Sequence, residues 1–188
     1  MQLRKGRPAR LTLDVGEAGL IETLVMQVAE LIVADPAADV GSGEDVATGS
    51  DDELLAQIVG PVDSGEAADD PVVRRLLPDA YRDDDDAARE WRRLGRSEVR
   101  AAKSEAMQRV LADVTMEPPV TIRLDDDHLT SWLAVLTDVR LALGERIGVT
   151  EDWLEELARL DEGDPLRDAF AIYDWLSMLQ ESILRVAT

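Results

Sequence analysis

Two short alternating segments in this sequence each run straight into an aspartate that can start a helix. They are Leu11-Thr12-Leu13 before Asp14, and Val120-Thr121-Ile122-Arg123-Leu124 before Asp125. Alternation with period two reads as a half-buried strand, because successive side chains point to opposite faces. An aspartate after such a strand offers its carboxylate to the free N–H groups of a first helical turn. Strand edges need partners, so the two strands are expected to pair. Leu3 adds a third short strand, turned back into a hairpin by Gly6-Arg7-Pro8-Ala9. The expected fold is mainly α: a helical bundle with a small accessory antiparallel β-sheet of two to three short strands.

The helices follow from apolar spacing and breakers. Leu20, Leu24, Val28, Leu31 and Ile32 recur at helical spacing after Asp14 and Glu17, which resemble a capping box, until Asp35-Pro36. Asp51 to Val59 reads as a short helix, and Asp70-Pro71 opens another holding Val72, Val73, Leu76 and Leu77. The longest helix is expected from Asp84 to about Val114, with Asp83-Asp84-Asp85-Asp86 at its positive end. Its apolar stripe reads as Ala88, Trp91, Leu94, Val99, Ala102, Ala106 and Val110. Asp125 starts a helix that buries Leu129, Trp132, Leu133, Leu136, Val139, Leu143 and Ile147 and stops at Gly148. A short helix holds Trp153, Leu154 and Leu157, and the last one presents Phe170, Tyr173, Trp175, Leu176, Leu179 and Ile183. Trp91, Trp132 and Trp175 are expected to share one core, since a Trp buries a large area. The whole of 1–188 reads as a single domain, with 36–50 and 61–70 as acidic mobile loops.

Charge is distributed unevenly. From Leu11 to Val73 there are fifteen Asp and Glu and no Lys or Arg, while ten of the twenty basic residues fall between Arg74 and Arg109. A net charge of −20 repels nucleic acid and anionic membrane surfaces and favours basic partners. There is no Cys, so this sequence offers no disulfide, thiolate nucleophile or Cys-type zinc site. The residues after Met1 carry charges without an apolar run, so they do not read as a signal peptide. No stretch approaches the ~20 apolar residues a membrane helix needs, and a cytoplasmic location is expected.

Candidate chemistry is sparse. The lone His128 follows Asp125 at helical spacing. Carboxylate-bundle metal sites use two such pairs plus further Glu, so a helix start is the better reading. Asp83 to Asp86 lack the alternating ligands, Gly and closing Glu of a calcium loop. No Walker loop, G-x-G-x-x-G or G-x-S-x-G occurs, so no catalytic residue, metal or cofactor is expected. Arg89, Arg92, Arg93, Arg96, Arg100 and Lys103 line one side of the longest helix, suited to bidentate pairing with carboxylates. They are the candidate partner-binding surface. Arg140 lies in an apolar run beside Asp138. It reads as a structural ion pair with Asp174 or Glu181, or else as a ligand site.

Three stretches carry a resemblance. They are Arg75-Leu76-Leu77-Pro78-Asp79-Ala80-Tyr81 leading to Ala88-Arg89-Glu90-Trp91-Arg92, then Trp132 to Gly144, then Tyr173-Asp174-Trp175-Leu176-Ser177-Met178-Leu179-Gln180-Glu181. Together they resemble an actinobacterial domain-of-unknown-function family encoded near the ClpS adaptor and cysteine-biosynthesis genes. That family includes an oxidative-stress transcription regulator with a cysteine-pair switch. This sequence has no Cys, so the switch does not carry over, and Thr137 stands where the family pattern has Asn. The resemblance implies a non-catalytic regulatory protein that contacts a sigma factor of RNA polymerase or a proteolytic adaptor, and the net charge of −20 argues against direct nucleic-acid binding. The alternative is a small-ligand-binding or enzymatic helical domain with its site around Arg140.

Overall fold

The strand–aspartate–helix units form as the residues dictate. In the computed structural model the described residues are 2–4, 9–33, 70–78, 85–116, 119–161 and 163–187. The side chains of 2–4, 85–94 and 187 are not among them. Strands β1 (Gln2–Arg4), β2 (Ala9–Leu13) and β3 (Val120–Leu124) make one antiparallel sheet in that order. Leu11 lies opposite Ile122 and Leu13 opposite Val120. Ala9, Leu11, Leu13, Val120, Ile122 and Leu124 all point inward and are buried, while Arg10, Thr121 and Arg123 are exposed. A one-residue slip would turn every one of these leucines and valines to solvent, so the alternation itself enforces the register.

Helix α1 (Val15–Val33) begins with a reciprocal cap. The Asp14 N–H donates to Glu17 Oε2 at 3.0 Å, and the Glu17 N–H donates to Asp14 Oδ1 at 2.9 Å. Two N–H groups that the first turn leaves free are thereby satisfied. Helix α2 (Pro71–Leu76) starts with Pro at its first position, where no N–H is needed. Asp70 caps it through Val72 N–H at 2.8 Å. Helices α3 (Asp85–Val114), α4 (Asp126–Arg146), α5 (Trp153–Arg159) and α6 (Pro165–Ala187) complete the bundle. Asp125 caps α4 as expected, and Gly148 takes a left-handed φ of 67° just after its end.

Buried side chains from β2, β3, α1, α2, α3, α4 and α6 form one cluster. Trp132 is wholly buried within it, and its indole N–H donates to Asp113 Oδ2 at 2.8 Å. A buried indole donor without a partner would be destabilising, so α3 supplies an acid where α4 brings a Trp. Trp175 packs against the cluster from a half-buried position. The Trp91 side chain lies outside the described residues, as do the 36–50 loop, the expected helix at Asp51 and residues 61–69.

Two expectations change. Asp70, assigned to an acidic mobile loop, is 6% exposed and locked by its cap and by Arg146. Ala102, assigned to the apolar stripe of α3, is exposed. The inward line runs instead through Val99, Lys103, Met107, Val110 and Val114, all buried or half-buried. A lysine can occupy that line because its ammonium meets a carboxylate on α4, described next, while its stem packs.

Candidate interaction sites on the central helix

Helix α4 packs against α1, α2, α3, α6 and β3. Its polar side chains leave it in four directions, and each direction meets a different element.

Toward α3, Asp138 accepts from Lys103 Nζ at 2.5 Å. Burial pushes the Asp138 carboxyl up, and the Lys103 hydrogen bond and charge pull it partly back. A groove of about 480 Å³ lies beside this pair, between Val99, Ala102 and Ala106 on α3 and Thr130, Ser131 and Ala134 on α4. Ala102, Ala106, Ser131 and Ala134 in its walls are small side chains, which leave that space unfilled. Arg109 reaches Ser131 Oγ at 3.2 Å and Glu105 at 3.3 Å along its edge.

Toward α6, Arg140 meets no acid among the described residues. Its Nη1 donates to Gln180 Oε1 at 2.6 Å and its Nη2 to Tyr173 Oη at 3.3 Å, with the guanidinium 5.1 Å from the Tyr173 ring centre. Gln180 also donates to Thr137 Oγ1 at 2.7 Å and to the Leu133 carbonyl at 3.3 Å. Tyr173 can lie this close because α4 carries Gly144 there: a Cβ at Gly144 would sit 3.3 Å from the ring. Trp153 of α5 stacks on Phe170 at 5.8 Å and meets Tyr173 edge-on at 6.0 Å.

At the N-terminal end, His128 Nδ1 is 2.7 Å from Asp125 and its Nε2 is 3.6 Å from Asp113. The hydrogen bonds from His128 hold the Asp125 carboxyl below the usual carboxylate range. The Asp125–His128 pair therefore serves the start of α4. Among the described residues no group of three or more His, Asp or Glu is placed to hold a metal ion. At the C-terminal end, Arg146 Nη2 donates to Asp70 Oδ2 at 2.6 Å, where a cation also suits the helix dipole.

These contacts redraw the residues singled out from sequence. Asp138 pairs with Lys103, so it is not the neighbour of Arg140 in an ion-pair network. Glu181 pairs with Arg185, and Asp174 is exposed, so the expected Arg140 pairing with either is not formed. The reason is angular: residues 174 and 181 face away from α4, whereas 173 and 180 face it. Lys103 turns inward and leaves the expected Arg face, and Arg96 and Arg100 are half-buried. The side chains of Arg89, Arg92 and Arg93 lie outside the described residues.

The family model for a domain of unknown function, DUF2017, matches residues 1–187. The chain belongs to this family. Proteins named oxidative stress regulator AosR, from Mycobacterium bovis and Mycobacterium tuberculosis, are 30% identical over 99% of this chain and 85% of theirs. A Mycobacterium leprae relative is 33% identical over 71% of this chain and 65% of its own length. No solved structure matches the chain. The resemblance read from the three stretches is thus the family to which the chain belongs, and those stretches supply Arg140, Tyr173 and Gln180 of the α4–α6 seam. Gln180 was not singled out from sequence. The available signal was its spacing: seven residues after Tyr173, it returns to the same side of α6. The Lys103–Asp138 and Arg146–Asp70 pairs join residues 35 and 76 apart, and no local pattern links them.

Proposed function

We propose that this protein is a non-catalytic cytoplasmic regulator that acts by contacting another protein. The observation that carries the reading is the match along 99% of the chain to proteins named oxidative stress regulator. A match of that length spans the packed core and the charged surface together, so it supports a shared mode of action. The chain lacks Cys, so a thiol switch in this protein is excluded by composition. Its response to oxidation would come through the partner. That partner is proposed to be a sigma factor of RNA polymerase, with a proteolytic adaptor as the other candidate. The proposed contact is the start of α3, where Arg89, Arg92 and Arg93 fall within two turns of helix and suit carboxylates on a partner. With a net charge of −20, direct nucleic-acid binding is disfavoured and protein contact is the consistent route.

A second reading, a ligand-binding or enzymatic domain around Arg140, draws on that guanidinium's lack of a carboxylate among the described residues. The groove beside α4 does not serve it, since its α4 wall includes Asp138 and not Arg140.

The test is direct binding of purified sigma factors to the immobilised protein. Micromolar binding of at least one, weakened about tenfold by Arg89→Glu with Arg92→Glu at an unchanged melting temperature, is the expected result. If every sigma factor fails to bind, the sigma-factor reading is overturned. If binding survives the double charge reversal, the α3 contact is overturned.

A further inference from the structure

Arg140 is half-buried in a chain that has forty acidic residues and twenty basic ones, yet its guanidinium rests on two neutral oxygens. Its Nε–H is buried with no acceptor among the described residues. Of five N–H donors, two are placed and three remain. The acids nearest in sequence are not available to it. Asp138 is held by Lys103, Glu145 by Arg75 and Glu181 by Arg185, while Asp174 is exposed and makes no ion pair with Arg140. The charge is fixed in place from two sides, by the Tyr173 ring and by Gln180, which Thr137 and the Leu133 carbonyl in turn orient. A guanidinium positioned this firmly, and paired with no acid among the described residues, is prepared to receive a carboxylate with little loss of rotamer freedom. Its surroundings fit a protein partner better than a small anion. Leu141 beside it is 38% exposed, and Leu184, one turn beyond Gln180 on α6, is 47% exposed.

We propose that the outer seam between α4 and α6 docks an acidic segment of a partner protein. A partner carboxylate meets the Arg140 guanidinium, and apolar residues of the same segment cover Leu141 and Leu184. Charge complementarity selects the occupant: a basic segment would set its cation against Arg140, and a purely apolar one would bury that charge unpaired. The seam is separate from the Arg-rich start of α3. Failure to bind sigma factors therefore leaves this proposal standing, and its own failure leaves the α3 reading standing.

The probe is a synthetic peptide of alternating Glu and Leu, compared with its Gln-for-Glu counterpart. Binding is measured at about 0.15 M salt, where the Debye length of about 8 Å screens repulsion from the rest of the acidic chain. The readouts in ¹⁵N-labelled full-length protein are the Arg140 Nε–H resonance and, for the variants that lack it, the backbone amide resonances of α4 and α6 around positions 140 and 180. The expected result is a saturable shift with the Glu peptide and none with the Gln peptide, with affinity at least tenfold weaker for Arg140→Gln. Arg140→Lys keeps the charge and removes the planar fork, and it should also bind more weakly while melting near the unaltered protein, so the test holds if Arg140→Gln unfolds. Equal binding by either variant, or by the Gln peptide, overturns the proposal. The same saturating shift with acetate shows a small-carboxylate site and overturns it. So does an Arg140 resonance that moves, before any peptide is added, when the acids between 35 and 69 are changed to amides, because the occupant is then this chain's own segment.

Discussion

Asp138 and Asp125 sit on the same helix and titrate in opposite senses. Burial raises Asp138, so in the window between about 3.9, the unperturbed value, and its higher folded value, the native protein keeps a proton that the unfolded chain has lost. Folding stability attributable to this group is therefore present at low pH and is lost as pH rises through that window. Asp125 is lowered by His128, so its contribution is present above about 3.9 and is lost as pH falls toward its folded value. Urea unfolding at several pH values should show Asp138→Asn removing a decline in stability with rising pH, and Asp125→Asn removing a loss at acid pH. Identical pH slopes for Asp138→Asn and the unaltered protein would contradict the burial of that carboxyl. Trp132 makes a separate residue-scale prediction. Trp132→Ala removes the largest fully buried side chain and leaves Asp113 without its indole donor. The expected cost is about 3–5 kcal/mol, read as a large drop in melting temperature. Trp132→Phe keeps most of the packing and loses the hydrogen bond, so it should cost less.

At the scale of the element, α2 is held by one side chain with two duties. Asp70 Oδ1 caps the helix and Oδ2 receives Arg146 from the end of α4. Asp70→Ala removes both and leaves Arg146, 27% exposed, without its acid. A loss of about 3 kcal/mol is expected by analogy with broken buried pairs. Asp70→Asn retains an oxygen for the cap and should fall between the two. If Asp70→Asn and Asp70→Ala are equally destabilised, the cap contributes nothing measurable and the ion pair accounts for the whole effect. The Asp14–Glu17 cap of α1 is a milder case: Asp14→Ala should cost about 1 kcal/mol, a shift of about 2–4 °C in a chain of this size. Both caps were legible in the sequence because they are local: an acid before a helix and a proline at its first position have one structural use. The inward turn of Lys103 was not legible. An apolar-stripe reading places Ala inside and Lys outside, and only an acid on α4, 35 residues later, reverses that.

Across the whole molecule, a net charge of −20 acts on a single connected core. Self-repulsion opposes the compact state and is long-ranged at low salt. Raising the salt from about 0.01 M to about 0.15 M shortens the Debye length from about 30 to about 8 Å. The melting temperature should therefore rise with salt. A fall would mean that pairs such as Arg75–Glu145 and Arg159–Glu155 outweigh repulsion, contrary to the small effect expected of exposed pairs. The sequence by itself determined what depends on neighbours along the chain. That covers the strands with their alternation, the described helices with their caps at Asp14, Asp70 and Asp125 and the stop at Gly148, the pairing of β2 with β3, the exclusion of thiol chemistry, and through three quoted stretches the family. Only the tertiary structure decided which charges are neutralised. Arg140 was expected to meet Asp174 or Glu181, and it meets Tyr173 and Gln180 instead. Helical periodicity says that two residues share a face, but not which face of the next helix they will find. That depends on the rotation and crossing of packed helices, which the whole core sets together.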